Sequence, residues 1–374
     1  MTDGARVLIP EGTVFSPEEL VHYADPDRRT LDDAVAEADL LVALPHAGAA
    51  IPAELDRYLA SAFTRRLQYD FTDVATSAIV RRWAELDPRI VAVENPHPRL
   101  VRDPNRPRPA DLAADLREAI RRVREAGPYQ RVDLTGVDAI RPVTFSFFPM
   151  LVVPERAEEV DELVAAFEAV GEQGLAVYER TRDALRERFA AAAMERGARG
   201  EASAFTFLSF HDTMNRTTTR EGAVDVEREP KDRLPDVVAL SNRGDARGEP
   251  RGTEGDAAIV TMDPARLRAL AEAHRIGFAV SDPAHVALNQ PYLGSREIVD
   301  AGAAFAARLA AAGPDAAGVA LDAVQAEFRR EFLLGEANAH ILSQPGTGWI
   351  EPDPAHVDRL ARQCMAAWAA YRNR

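Results

Sequence analysis

Short apolar runs that stop abruptly at proline, glycine or histidine, with helical stretches between them, constrain the fold of this chain more than any other feature. ADLLVALPHAG (38–48) is continuously apolar up to Pro45 and bounded by turn residues, which fits a strand covered on both faces. RIVAVEN (89–95) and FTFLSF (205–210) repeat the pattern, the second running into His211. VVALS (237–241) and HVALNQ (285–290) are shorter versions. Between these runs, apolar spacing predicts helices over 53–66, 73–85, 110–126, 155–170, 174–196, 263–275, 298–312 and 354–372. The segment 132–154 is apolar and β-leaning, 215–256 reads as polar loop around the VVALS island, and VALDAVQAEFRREF (319–332) starts strand-like. Strands alternating with helices predict an α/β fold with a largely covered central sheet. Residues 1–36 read as an N-terminal extension, and 37–374 as one α/β domain with a helical insert at about 155–200.

The 374 residues carry 45 Lys+Arg against 60 Asp+Glu, a formal net charge of −15. That excess of carboxylates argues against nucleic-acid or anionic-membrane partners; the expected partner is a small-molecule substrate. No run approaches the roughly 18 apolar residues of a membrane span. MTDGARVLIPEG lacks the basic-then-apolar order of a signal peptide, so a cytoplasmic address is expected. The single Cys364 excludes an internal disulfide and multi-thiolate metal sites, and ARQCMAAWAAY reads as a helix with a packed core thiol.

The chain has no GxxxxGK[ST] loop, no GxGxxG after a strand, no HExxH and no GxSxG. Its chemistry-bearing residues stand where apolar strands end, which in open α/β sheets is where ligands bind. His46 follows LLVALP, with Gly48 allowing a close turn, and His211 follows FTFLSF. A hydrolytic zinc site takes three protein ligands, commonly two histidines and a carboxylate. Asp73, Asp70 and Glu54 are candidates for the carboxylate, and spacing alone does not choose among them. Asp103, Asn105 and Arg106 sit in a proline-stiffened turn, LVRDPNRPRP, with Arg99 just upstream; such a cluster can bind a carboxylate through the arginine fork. Glu327, between Ala326 and Phe328, suits a general base or acid if it faces inward.

In this order the pieces PHAGAAIP (45–52), YDFTD (69–73), PRLVRDPNRP (98–107), FLSFHDTMN (207–215), ALNQPYLGSREI (287–298) and QAEFRREFL (325–333) resemble the N-formylglutamate amidohydrolase family. That family looks distantly related to the zinc carboxypeptidases and the aspartoacylase group. The resemblance implies a three-layer α/β sandwich with a twisted mixed sheet, phosphorylase/hydrolase-like, and one divalent metal, Zn²⁺. It implies metal ligands at His46, Asp73 and His211, with Asp70 and Glu54 less favoured. It implies Glu327 as general base, with Arg329 or Arg330 beside it, and Arg106 as oxyanion stabiliser. Substrate contacts are expected from Arg99, Asn105, Asp103, Asn289, Tyr292 and Arg141, with Gly294 in the same loop. The chain departs from the family's pattern at Asp212, where serine is usual, and at Ser295, where a second glycine is common. RPVTFSFFP (141–149) is unusually aromatic for a site built for a small dicarboxylate.

Overall fold

The computed structural model describes residues 4–374, and the run Leu40–Leu44 lies at its centre with every residue buried. Side chains alternate faces along a strand, so Leu40, Val42 and Leu44 enter one core cluster while Leu41 and Ala43 enter another. A strand buried on both faces has no use for polar alternation, which is why the run reads as continuously apolar.

The elements follow in chain order. The first four are β1 (Leu8–Ile9), α1 (Pro17–Leu20), β2 (Val21–His22) and α2 (Leu31–Glu37). Then come β3 (Leu40–Leu44), β4 (Ile51–Pro52), α3 (Arg65–Asp70), α4 (Val74–Leu86) and β5 (Ile90–Glu94). Three helices follow, α5 (Leu112–Ala126), α6 (Ala157–Gln173) and α7 (Leu175–Ala198). The next group is β6 (Ser203–Thr213), β7 (Arg216–Thr218), β8 (Val224–Glu227), β9 (Val238–Ser241), α8 (Pro264–Gly277) and β10 (Val286–Leu288). The chain closes with α9 (Arg296–Ala312), β11 (Val319–Arg329), α10 (Arg330–Leu334), α11 (Glu336–Leu342) and α12 (Pro354–Arg372).

Seven strands form one sheet in the order β10-β9-β11-β6-β3-β5-β2. The central four, β11, β6, β3 and β5, are parallel to one another. β9 meets β11 antiparallel, and β2 meets β5 antiparallel, so the sheet is mixed and mostly parallel. Helices α4, α8 and α12 cover one face through Trp83, Leu267 and Trp368. Helices α2, α7 and α9 cover the other through Val35, Phe189 and Phe305. Cys364 is buried in the first of these clusters, and burial pushes its thiol up, as expected of a core thiol.

Three stretches differ from the sequence expectation. Residues 4–36 are woven into this body: β2 pairs with β5, β1 pairs with β4, and Leu20 and Val35 pack in the cluster of Leu41. The β-leaning 132–154 forms only isolated bridges, Leu59↔Leu151 and Val143↔Pro149. Prolines 142, 149 and 154 remove ladder donors there, and Ile140, Phe148 and Met150 pack instead with α5 and α6 in a separate cluster. The polar 215–256 carries the antiparallel hairpin β7–β8. Among the described residues no helix is long and apolar enough to cross a membrane.

The chain leaves β3 for β5 and then returns past β3 to β6, so the winding reverses between β3 and β6. The crevice outside the carboxyl ends of strands at such a reversal is where an open α/β sheet binds ligands.

Candidate active site

His46 stands two residues beyond the end of β3, and His211 near the end of β6, on the two sides of that reversal. Gly48 makes the approach possible by closeness rather than by dihedral freedom: a Cβ there would lie 2.2 Å from the backbone of Asn95 and Pro96. The rings of His46 and His211 are 5.1 Å apart and tilted edge to face. Asp73 caps α4 by position, yet its side chain makes no capping bond. Its Oδ2 lies 3.0 Å from His211 Nδ1 and 3.6 Å from His46 Nδ1, and its Oδ1 accepts from Arg99. Burial opposes ionisation of Asp73, but Arg99 and the two imidazoles hold its carboxyl well below the usual range. All three residues are buried, and one ligand atom from each lies within 4.8 Å of the others.

The outer contacts of both rings fit a cation. His46 Nε2 lies 2.7 Å from Asp103 Oδ1, an acceptor, so Nε2 carries the hydrogen and Nδ1 presents a lone pair. That Nδ1 is buried without a hydrogen-bond partner. His211 Nε2 meets Ser209 Oγ at 2.8 Å while its Nδ1 faces Asp73. Imidazole lone pairs converging on a carboxylate, with the opposite ring nitrogens engaged by fixed oxygen atoms, are the donor set and outer support of a divalent metal site. Burial and Arg99 lower the pKa of His46, but Asp103 and Asp73 outweigh them and leave it raised.

Glu327 lies on β11 directly beside His211 in the strand register, its side chain alternating away from buried Ala326 and Phe328. Thr213 Oγ1 donates to its Oε1 at 2.5 Å, and Gln325 Nε2 donates to its Oε2 at 2.7 Å. A cavity of about 430 Å³ joins this carboxylate to His46, Asp73 and His211. Asn105, Arg99 and Asp212 line the same space, and each carries a buried polar atom without a protein partner, Oδ1, Nε and Oδ2 in turn. Such atoms are satisfied by water or by ligand, so the cavity is built to be filled with polar matter.

The remaining expected residues divide. Arg99, Asn105, Arg106, Tyr292 and Gly294 line the cavity. Arg99 also sits 5.4 Å from the ring centre of Phe145, and Arg106 Nε donates to Asp138 at 2.6 Å. Asp103 lines it too, but its Oδ1 is occupied by His46 and by the backbone N–H of Asn105. Its carboxyl, though buried, is held far below the usual range by His46, Arg99 and Arg106. Asp70 reaches the cavity but binds Thr218 at 2.8 Å, and Glu54 accepts from Gly12 N at 3.2 Å. Neither belongs to the ligand cluster.

Two expectations need correcting. Asn289 does not line the cavity: it is locked to Asn242 and to the Asp245 carbonyl, at a backbone φ of 54° that asparagine tolerates better than most residues. Arg141 lies behind the wall, donating to the Val143 carbonyl at 3.2 Å and stacked 4.7 Å from the Phe145 ring centre. Burial lowers its pKa to about 10, with Asp138 opposing.

The sequence left Arg329 and Arg330 as alternatives and passed over Arg216 and Arg228. Arg330, not Arg329, is the buried arginine beside the site. It donates to Asp212 and to the Asp70 and Thr72 carbonyls, tying the start of α10 to the turn that carries Asp73. Burial pushes the Asp212 carboxyl up to about 7 against the pull of Arg330, with Asp73 and Glu327 adding to the rise. Arg216 and Arg228 reach the cavity from the β7–β8 hairpin and its exit, and Arg228 donates to Tyr292 Oη at 3.1 Å. No spacing signal connects these hairpin residues to strand ends distant in sequence.

An open, mostly parallel α/β sheet with imidazoles, carboxylates and guanidinium groups gathered at its winding reversal is an α/β protein with its ligand site where that architecture places one. The model of the N-formylglutamate amidohydrolase family matches residues 38–334, about four-fifths of the chain, and the chain belongs to that family. The gene product Atu2144 from Agrobacterium tumefaciens, a solved structure, is similar at 19% identity with a TM-score of 0.39, covering 83% of this chain and 86% of its own. No curated protein matches.

Proposed function

We propose that the chain hydrolyses an N-acyl amide of a small carboxylate-bearing, N-formylglutamate-like substrate, with one zinc ion held by His46, Asp73 and His211. The observation that carries this reading is the buried three-ligand cluster sharing one cavity with Glu327 in a chain of an amidohydrolase family. Two imidazoles and a carboxylate are a donor set that suits zinc and leaves a coordination position open. When bound, the cation supplies Lewis acidity that makes water nucleophilic at neutral pH and polarises an amide carbonyl.

The chain's own groups do the rest. Glu327, fixed by Thr213 and Gln325, takes a proton from the attacking water and returns it to the leaving nitrogen. The water oxygen joins the carbonyl carbon, the C–N bond breaks, and a carboxylic acid and an amine leave. Arg106 stabilises the negative charge that develops on the carbonyl oxygen, and Arg99 and Asn105 orient the substrate carboxylate. Asp103 holds His46 in the tautomer that faces the ligand cluster. The covered mixed sheet, with two imidazoles and a carboxylate beyond its strand ends, supports the relationship with the zinc carboxypeptidases that the sequence resemblance implies.

One observation favours a second reading, a larger acyl group. Phe145 stands on the cavity wall 41% exposed, 5.1 Å from the ring of Phe71, offering an apolar surface that a formyl group does not need. Zinc-replete protein assayed on N-formyl, N-acetyl and N-benzoyl derivatives of glutamate and of leucine separates the readings. Fastest release from N-formylglutamate supports the first, and preference for the benzoyl series supports the second. Zinc-loaded protein that hydrolyses none of them sinks both.

A further inference from the structure

Ser209 precedes His211 by two residues on β6, so both side chains project from the same face of the strand. Above that face α9 begins, with Ser295 at its N-cap and Glu297 in its first turn. Tyr178 and Arg182, one turn apart on α7, both donate to Glu297 Oε1, at 2.7 and 2.6 Å. The Arg182 ion pair and the phenol together present Glu297 as an acceptor, and it is buried with no route to bulk water.

The hydrogen-bond capacity of Ser209 can then be counted in full. A hydroxyl has one proton to give and two lone pairs to receive with. The proton goes to Glu297 Oε2, 2.9 Å away. Ser295 Oγ donates into one lone pair at 3.3 Å, and His211 Nε2 lies at 2.8 Å from the same oxygen. With its proton committed to Glu297, Ser209 can only accept from His211. Nε2 must therefore be the N–H nitrogen, and Nδ1 is turned toward Asp73. Nothing in the proposed hydrolysis uses Glu297, Tyr178 or Arg182, although taking this ion pair out of water carries a desolvation cost that its own attraction and hydrogen bonds must offset.

We infer that Glu297, Tyr178 and Arg182 form a positioning relay that acts through Ser209 to fix the tautomer of His211, so that Nδ1 is presented to a divalent metal. The inference rests on the metal-site reading proposed above and deepens it, for it assigns a function to the helical insert: α7 orients a ligand held on β6. It also pairs the two imidazoles, each held at Nε2 by an oxygen, one carboxylate directly and one carboxylate through a hydroxyl.

The test reads the ring itself as well as its metal affinity. In metal-free wild-type protein, nitrogen NMR of the His211 ring is expected to show the hydrogen on Nε2. Glu297→Gln gives Ser209 an amide donor in place of an acceptor and frees the hydroxyl to donate to the ring, so the signal shifts toward the Nδ1–H form. Ser209→Ala removes the link without touching the ion pair, and Ser209→Thr restores it. Zinc affinity by chelator competition should fall about 10- to 100-fold in Glu297→Gln and Ser209→Ala and recover in Ser209→Thr. Wild-type tautomer and wild-type affinity in both defective variants would overturn the relay, as would a wild-type ring protonated on Nδ1 and not on Nε2. Wild-type protein that shows the Nε2–H ring yet leaves zinc unbound overturns the metal reading and leaves the tautomer control standing.

Discussion

At the scale of single residues, the site separates groups that act from groups that hold. Glu327 has one carboxylate oxygen on the Gln325 amide and the other on the Thr213 hydroxyl, which can turn to accept from an amide, so its position survives replacement by glutamine while its capacity to take a proton does not. Glu327→Gln should keep the metal content of the wild type and lose about 10²- to 10⁴-fold in turnover. Elemental analysis beside an amide-hydrolysis assay checks both halves, and near-normal turnover would remove Glu327 from the mechanism. Asp103 is the opposite kind of residue. Asp103→Asn keeps the shape but gives His46 Nε2 a neutral partner that can also donate, so zinc affinity should fall about 10- to 100-fold. Chelator competition measures it, and unchanged affinity would mean that His46 needs no orienting carboxylate. The two histidines were legible in the sequence because each ends an apolar strand. Asp73 could not be chosen over Asp70 and Glu54, because what distinguishes it is a side chain that turns away from its own helix cap toward two rings on other strands.

At the scale of elements, the strands covered on both faces announced themselves. β3 is apolar throughout and β5 up to its last residue, Glu94, and α5, α6 and α12 keep the helical period that exposes one face to solvent. β11 was harder to read, since it runs eleven residues and its last five alternate Gln325, Glu327 and Arg329 with Ala326 and Phe328. That polar side faces a cavity instead of a core, a distinction no periodicity contains. The β7–β8 hairpin stayed hidden because it is short, polar and outside the main sheet. The junction between the ends of β3 and β5 makes a quantitative expectation. Gly48→Ala would press a methyl against the backbone of Asn95 and Pro96, where neither a rotamer nor a flexible tail can yield. A loss of about 1–3 kcal/mol is expected, typical of overpacking. In urea the midpoint should drop with the slope unchanged, and an unmoved midpoint would show that the turn relaxes freely.

For the whole molecule, the formal charge of −15 sets the mean field while buried groups set the response to acid. His274 on α8 is the clearest of these. Its ring lies 6.0 Å from that of Phe278 and 6.3 Å from that of Trp368, with Nδ1 donating to the Leu270 carbonyl. Burial drives its pKa down to about 4, and the carbonyl only partly opposes the shift. In the unfolded chain the same imidazole titrates near 6.5. Between those two values the unfolded state therefore holds more protons at this site than the folded one, so stability is complete above about 6.5 and declines as the pH falls toward 4. The loss attributable to this group approaches about 3 kcal/mol and then levels off. Glu94 and Asp103, whose folded pKa values are depressed, begin to withdraw their own contributions as the pH falls into the ordinary carboxylate range, and these too are common to wild type and variant. His46, with a raised pKa, contributes in the opposite sense, but it is common to wild type and variant and cancels in the difference. In His274→Gln the side-chain amide can still reach for the carbonyl but cannot titrate. Urea unfolding of the metal-free proteins at intervals from pH 7 to pH 4 should show a shallower fall for the variant, by as much as one proton in the slope. Parallel curves for the two proteins would mean that the His274 pocket opens to water, or protonates, before the rest of the fold gives way.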